Sequence, residues 1–251
     1  MKGTVVALGG GGFSMSESDG SSLIDDHILD LTGTTKPRVC FVPTASGDAD
    51  GYSQRFESAF AGRAETSVLS LFCHDPWGYT DPSMLLEQDV VYVGGGSTVN
   101  LLAVWRLHGL DDLLGEAAAN GTVLAGISAG MNCWFDASST DSYGPLAPLR
   151  DGLGFVTGSA CPHYLGESGR REKYLRWVAS GELPGGYAVD DYAAVVFRDG
   201  EVVEAISEKT EHPVYRVMRV GDDAVEEPVA VRLLASTTSS SPETKLGVTS
   251  L

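Results

Sequence analysis

Basic residues are scarce in this chain: 17 lysines and arginines stand against 34 aspartates and glutamates, a formal net charge of -17 over 251 residues. Nucleic acid and anionic membrane surfaces both need a basic footprint, so neither is expected as a partner. Cysteine is sparse as well. Cys40, Cys73, Cys133 and Cys161 show no CxxC pairing and no histidines at zinc spacing, which argues against a metal. No apolar run approaches the roughly 18 residues of a membrane span, and the opening MKGTVVALGGGG reaches glycine too early for a signal peptide. A reduced, cytoplasmic protein without metal or cofactor is the expectation.

What is present is a rhythm. TVVALG (4–9), RVCFVPT (38–44), TSVLSLF (66–72), DVVYVGG (89–95) and TVLAGIS (122–128) read as buried strands bounded by glycine, proline or polar residues. Between them, residues 21–32, 52–62 and 98–121 carry apolar residues at helical spacing, the last breaking near Gly109. This alternation implies an α/β fold, a mostly parallel sheet flanked by helices on both faces. After about residue 184 the pattern turns β-rich, with a tight RDGE turn. Residues 1–235 are expected to form a single α/β domain, and the Ser/Thr-rich tail 236–251 to be disordered.

In GISAGMNCWF (126–135) one serine stands between glycines where a strand ends and a helix begins. Ser128 is therefore either a helix N-cap or a nucleophile on a sharp turn. In the second case the Ala129 N–H, at the positive end of the new helix, would meet a developing oxyanion. Of the five histidines, His27 and His108 fall in helical patterns, while His74 and His212 sit in loops. His163, in GSACPHYLGES, follows a strand-like run and is the candidate base. Asp190 and Asp191 interrupt an apolar run in GYAVDDYAAVV, so at least one needs a partner; a plain turn is the competing reading. The glycines of VVYVGGGSTVNLL and LGGGGFSM match neither GxGxxG nor GxxxxGK[ST], so they either cradle a phosphate or complete an oxyanion hole.

YVGGGSTVNLL, AGISAGMNCWF, STDSYGPLAPLRDGLGFVTGSACPHY and GYAVDDYAAVVF together resemble the peptidase E (aspartyl dipeptidase) and cyanophycinase-like serine peptidases. These share the class I glutamine amidotransferase-like fold. The resemblance covers residues 4 to 220. It implies hydrolysis of dipeptides or short peptides by a Ser-His-carboxylate triad, here Ser128, His163 and Asp191. The family's usual late carboxylate is often Glu, so Asp191 is a departure, and Asp190 and Asp141 are the alternative acids. The oxyanion contacts fall on Gly95 or Gly96 with Ala129. Substrate binding falls on Asn100 and on Arg171, which aligns better than Arg170 with the arginine that receives an N-terminal aspartate. The partner implied is a small peptide, and a homodimer is compatible with all of this. The competing classes are a catalytically silent binding relative and a hydrolase of isopeptides. An amidotransferase is disfavoured, because the elbow residue is serine and Cys133 lies beyond the turn.

Overall fold

The computed structural model of the chain describes residues 1–16, 22–72 and 79–235; His74 and the tail expected to be disordered lie outside them. The first half runs β1 (Thr4–Leu8), α1 (Leu23–Asp30), β2 (Arg38–Val42), α2 (Asp50–Phe60), β3 (Glu65–Val68), β4 (Val90–Val93), α3 (Thr98–His108), α4 (Leu110–Ala119), β5 (Val123–Ile127). The five strands are parallel, in the order β1-β5-β4-β2-β3. Side chains alternate across β1, as the period of an extended chain requires. Val6 and Leu8 pack with Ile24, Ile28, Phe56 and Phe60 of α1 and α2. Val5 and Ala7 face the other way, toward Leu101, Trp105 and Leu114 of α3 and α4. Each buried valine, leucine, isoleucine or phenylalanine side chain among them contributes about 1.5–3 kcal/mol.

Local chemistry explains the element boundaries. The Ser22 and Ser97 hydroxyls cap α1 and α3 by accepting from the N–H groups of Asp25 and Asn100. Gly109, at φ 67°, ends α3 and starts α4, which is the expected break. Leaving β5, the chain forms the four-residue α5 (Ala129–Asn132) and then enters a second sheet.

That second sheet is absent from the sequence reading. It gathers β6 (Phe135–Thr140), β7 (Ala147–Leu149), β8 (Val156–Cys161) and, after α6 (Arg170–Ser180), β9 (Gly186–Val189). The β-rich close of the chain is then shared out. β10 (Ala193–Arg198) and β11 (Glu201–Ser207) join the first sheet, antiparallel to β1 and to each other. β12 (Val214–Val220) and β13 (Asp223–Val229) join the second, and β14 (Val231–Leu233) returns to the first. The final orders are β14-β11-β10-β1-β5-β4-β2-β3 and β13-β12-β9-β8-β6-β7.

The sheets pack through aromatic rings: Phe135 and Tyr187 of the second meet Phe197 of the first edge to face, with centroids 5.7 and 5.2 Å apart. Helix α6 covers the outer side of the second sheet, burying Tyr174 and Val178 against Tyr164 and Val217. The result is an α/β fold, a mostly parallel sheet with helices on both faces and a second sheet beside it. Among the described residues no helix is long and apolar enough to cross a membrane.

Candidate active site

In a mostly parallel sheet the loops that follow the carboxyl ends of the strands line the binding crevice. Here β5 is buried at all five positions and stops at Ile127. The next residue, Ser128, has φ 55° and ψ -105°, a conformation that costs an L residue on the order of 1–3 kcal/mol. Its N–H donates to the Leu8 carbonyl at 3.1 Å, and its own carbonyl accepts from Asn132 N–H at 2.9 Å, which ties the turn to β1 and α5. The serine occupies the N-cap position, yet its side chain makes no capping hydrogen bond. The serine instead lines a cleft of about 180 Å³, shared with His163 and Arg170. That is small beside the roughly 300–1,000 Å³ of pockets for drug-sized ligands.

His163 lies two residues beyond β8, itself at positive φ (50°), with its N–H directed at the Gly9 carbonyl, 3.3 Å away. Asp191 sits where the chain crosses from β9 in one sheet to β10 in the other. Its Oδ1 is 2.6 Å from His163 Nδ1. That hydrogen bond outweighs burial and holds the Asp191 carboxyl below its usual range. With Nδ1 so occupied, Nε2 is the nitrogen left for the cleft.

Gly10 explains how the pair fits. A Cβ at this position would lie 2.1 Å from Asp191 Oδ1 and 2.9 Å from His163 Nδ1, so the backbone can pass only without a side chain. The glycine run after β1 is thus a wall of the His–Asp pair, a role that the sequence reading missed.

The other candidates are placed as follows. Asp190 is buried and does not touch His163; it accepts from Leu165 N–H, Gly166 N–H and His212. Asp141 is exposed at the cleft and lies 3.9 Å from Arg170. The Gly95 N–H donates to the Tyr52 hydroxyl at 3.3 Å. Gly96 lines the cleft at φ 137°, and a Cβ there would lie 2.2 Å from the Ala45 carbonyl oxygen. The N–H of Ala129, first residue of α5, has no intrahelical acceptor, and Ala129 lines the same cleft. Gly96 and Ala129 thus line the cleft, whereas the Gly95 N–H is directed at Tyr52.

Two expected substrate contacts are not brought to the cleft. Asn100 is exposed on α3, and Asn132 lines the cleft instead. Arg171 turns away to pair with Glu226, its Nε 3.1 Å from both carboxylate oxygens. That bond pushes the Arg171 guanidinium further up. Burial raises the Glu226 carboxyl, but hydrogen bonds from Arg171 and Tyr164 bring it below its usual range. The cleft arginine is Arg170, buried, with Nε donating to Glu167 at 2.9 Å. The signal was available: Arg170, Tyr174 and Val178 recur at intervals of four and form the buried stripe of α6.

The described cysteines Cys40, Cys133 and Cys161 are free and buried. Burial pushes the Cys133 thiol well up, the reverse of what a nucleophilic thiolate needs. Among the described residues no group of three or more His, Cys, Asp or Glu is placed to hold a metal ion.

Comparison with known proteins places the chain among the peptidases. The particular family follows from the sequence as a whole: residues 5–205 match the model of peptidase family S51, and the chain belongs to that family. It is 47% identical over 231 residues to the uncharacterized peptidase YgaJ of Bacillus subtilis, covering 92% of this chain and 98% of that one. With peptidase E of Streptomyces coelicolor the identity is 32% over 173 residues, covering 63% and 69%. Among solved structures, a peptidase from an acI-B1 actinobacterium superposes with a TM-score of 0.67 at 15% identity, covering 92% and 95%. A putative peptidase E protein from Listeria monocytogenes gives 0.58 at 19%, covering 81% and 98%. At these identities the two structures speak for the fold alone.

Proposed function

We propose that the chain is a serine-type peptidase that hydrolyses dipeptides or short peptides with Ser128 as nucleophile. The observation that carries this reading is the His163–Asp191 bond of 2.6 Å, made on the same cleft as a serine held at positive φ. Ser128 Oγ attacks the scissile carbonyl carbon while His163 Nε2 accepts its proton. The Asp191 carboxylate holds Nδ1–H, fixing the tautomer and stabilising the imidazolium. The Gly96 and Ala129 N–H groups receive the oxyanion of the tetrahedral intermediate. His163 then returns the proton to the leaving amine, and water repeats the sequence on the acyl-enzyme. No hydrogen bond joins the Ser128 hydroxyl to His163 among the described residues; such bonds commonly tighten only with substrate bound.

A preference for an N-terminal aspartate rests on Arg170. Two of its donors, Nε and Nη2, point at Glu167 Oε2, Nη2 also lies 3.9 Å from Asp141 Oδ2, and Nη1, without a hydrogen-bond partner among the described residues, is left to meet a substrate carboxylate. The free, buried thiols fit a reducing, cytoplasmic setting. The test is turnover of a dipeptide panel by wild type, Ser128→Ala and His163→Ala. Loss of several orders of magnitude in both variants supports the reading; either variant within tenfold of wild type ends it.

A further inference from the structure

That mechanism leaves one buried carboxylate unused. Asp190 is only 3% exposed, although it stands next to Asp191. Burying a charge is costly unless each oxygen finds a donor. Here Oδ1 accepts from Leu165 N–H and Gly166 N–H, both at 2.9 Å, and Oδ2 lies 3.0 Å from His212 Nδ1. The Asp190 N–H donates to the Pro213 carbonyl at 3.2 Å, so backbone and side chain both bind the segment carrying His212. The His212 ring is braced edge-on against Tyr192, with centroids 5.1 Å apart.

The residues that Asp190 grips are significant. Leu165 and Gly166 belong to the turn that opens at His163, which the Glu167 N–H closes on the His163 carbonyl at 3.1 Å. The same turn presents Glu167 to Arg170. Consecutive aspartates thus act on one turn from two sides: Asp191 holds the imidazole, and Asp190 holds the backbone beneath it.

We propose that Asp190 and His212 form a second His–Asp pair whose task is positional, clamping the turn so that His163 addresses Ser128. His212 is a positioning residue, since it acts through Asp190 and touches neither the cleft nor His163. This inference rests on the proposed triad. Misplacing a base by about 1 Å costs on the order of a hundredfold in rate.

The test compares His212→Phe, which keeps the ring against Tyr192 but removes the donor, with His212→Asn, whose side-chain amide can replace Nδ1. Expected for His212→Phe is a ten- to hundredfold fall in kcat with KM within about threefold, at a temperature where it is fully folded. His212→Asn should recover most of that loss. Hydrogen exchange of the Leu165 and Gly166 amides should be slow in wild type and in His212→Asn, a readout that does not depend on His212→Phe folding. Wild-type kcat in folded His212→Phe, failure of His212→Asn to rescue, or unprotected amides in wild type would overturn the proposal. Ser128→Ala and His163→Ala assayed alongside separate the two failures: if they stay active, the triad is wrong. If they are dead while His212→Phe is unimpaired, only the clamp is wrong.

Discussion

Substituting Gly10 by alanine perturbs the site without removing any polar group. The added methyl would stand 2.1 Å from Asp191 Oδ1, whereas a carbon–oxygen contact settles near 3.3 Å, so something must retreat by roughly 1.2 Å. The backbone resists the shift. The Gly10 carbonyl accepts from Tyr192 N–H at 3.0 Å, and the neighbouring Gly9 is bonded to both His163 and Ala193. The carboxylate therefore moves, and the His163–Asp191 bond is broken. Loss of the orienting carboxylate in such a triad costs about 10⁴ in kcat, and misplacement by about 1 Å costs about 10². The expected fall lies between those figures, about 2.7–5.5 kcal/mol in activation free energy. Overpacking costs roughly 1–3 kcal/mol, which lowers Tm by about 2–4 °C per kcal/mol in a chain of this size. The assay is kcat on the best dipeptide, below the unfolding transition of Gly10→Ala. Gly51→Ala is the control, since a Cβ in that exposed turn of α2 meets nothing within 4 Å. Folded Gly10→Ala with kcat within threefold of wild type would refute the reasoning.

Ser128→Gly should abolish turnover yet stabilise the fold by about 1–2 kcal/mol, because glycine relieves the strain at φ 55°. A Tm at or below that of wild type contradicts this. Asp25 is fully buried; it accepts from the Tyr92 hydroxyl at 2.8 Å, and its other oxygen has no hydrogen-bond partner among the described residues. Burial pushes this carboxyl up from 3.8 to about 7. Between those values the folded state holds a proton that the unfolded state has released, so stability falls as pH rises through the window. Urea unfolding at pH 5 and 8 should show that loss in wild type and a flatter response in Asp25→Asn; parallel responses count against the assignment. Arg170→Met should reduce the preference for Asp-X over Asn-X dipeptides about ten- to a hundredfold, whereas Arg171→Met should leave it intact. Competition assays giving the opposite order would return the role to Arg171.

Much of this was legible in the sequence, and the boundary of legibility has physical causes. The five parallel strands announce themselves because burial on both faces demands unbroken apolar runs. Gly109 and the Asp199–Gly200 turn, both residues at positive φ, are written in local chemistry. Ser128 and His163 stood out as candidates because strand-end loops are where such folds place functional groups, whereas Asp191 was singled out only by the family resemblance, and its contact with His163 is a matter of tertiary structure. The second sheet was not. The run holding VTGSAC read as a strand, but FDASST, mostly small and polar, did not, and the sheet exists only because these segments pair with each other and with β7 and β9 across the chain. GYAVDDYAAVV reads as one interrupted strand, but the aspartates mark a crossing between two sheets. Which neighbour of a pair faces the site, Arg170 or Arg171, depends on the register of α6. The place of Gly10 against Asp191 is a contact between residues far apart in sequence, and no local pattern encodes it.

The central claim is that Ser128 is an activated nucleophile, and a fluorophosphonate probe tests it most directly, because it needs no knowledge of the substrate. Peptide mass spectrometry of the treated native protein should find one phosphonyl adduct, on Ser128, with labelling strongly slowed in His163→Ala and Gly10→Ala. An enzyme that turns over dipeptides yet carries its adduct on another residue, or carries none, would contradict the account.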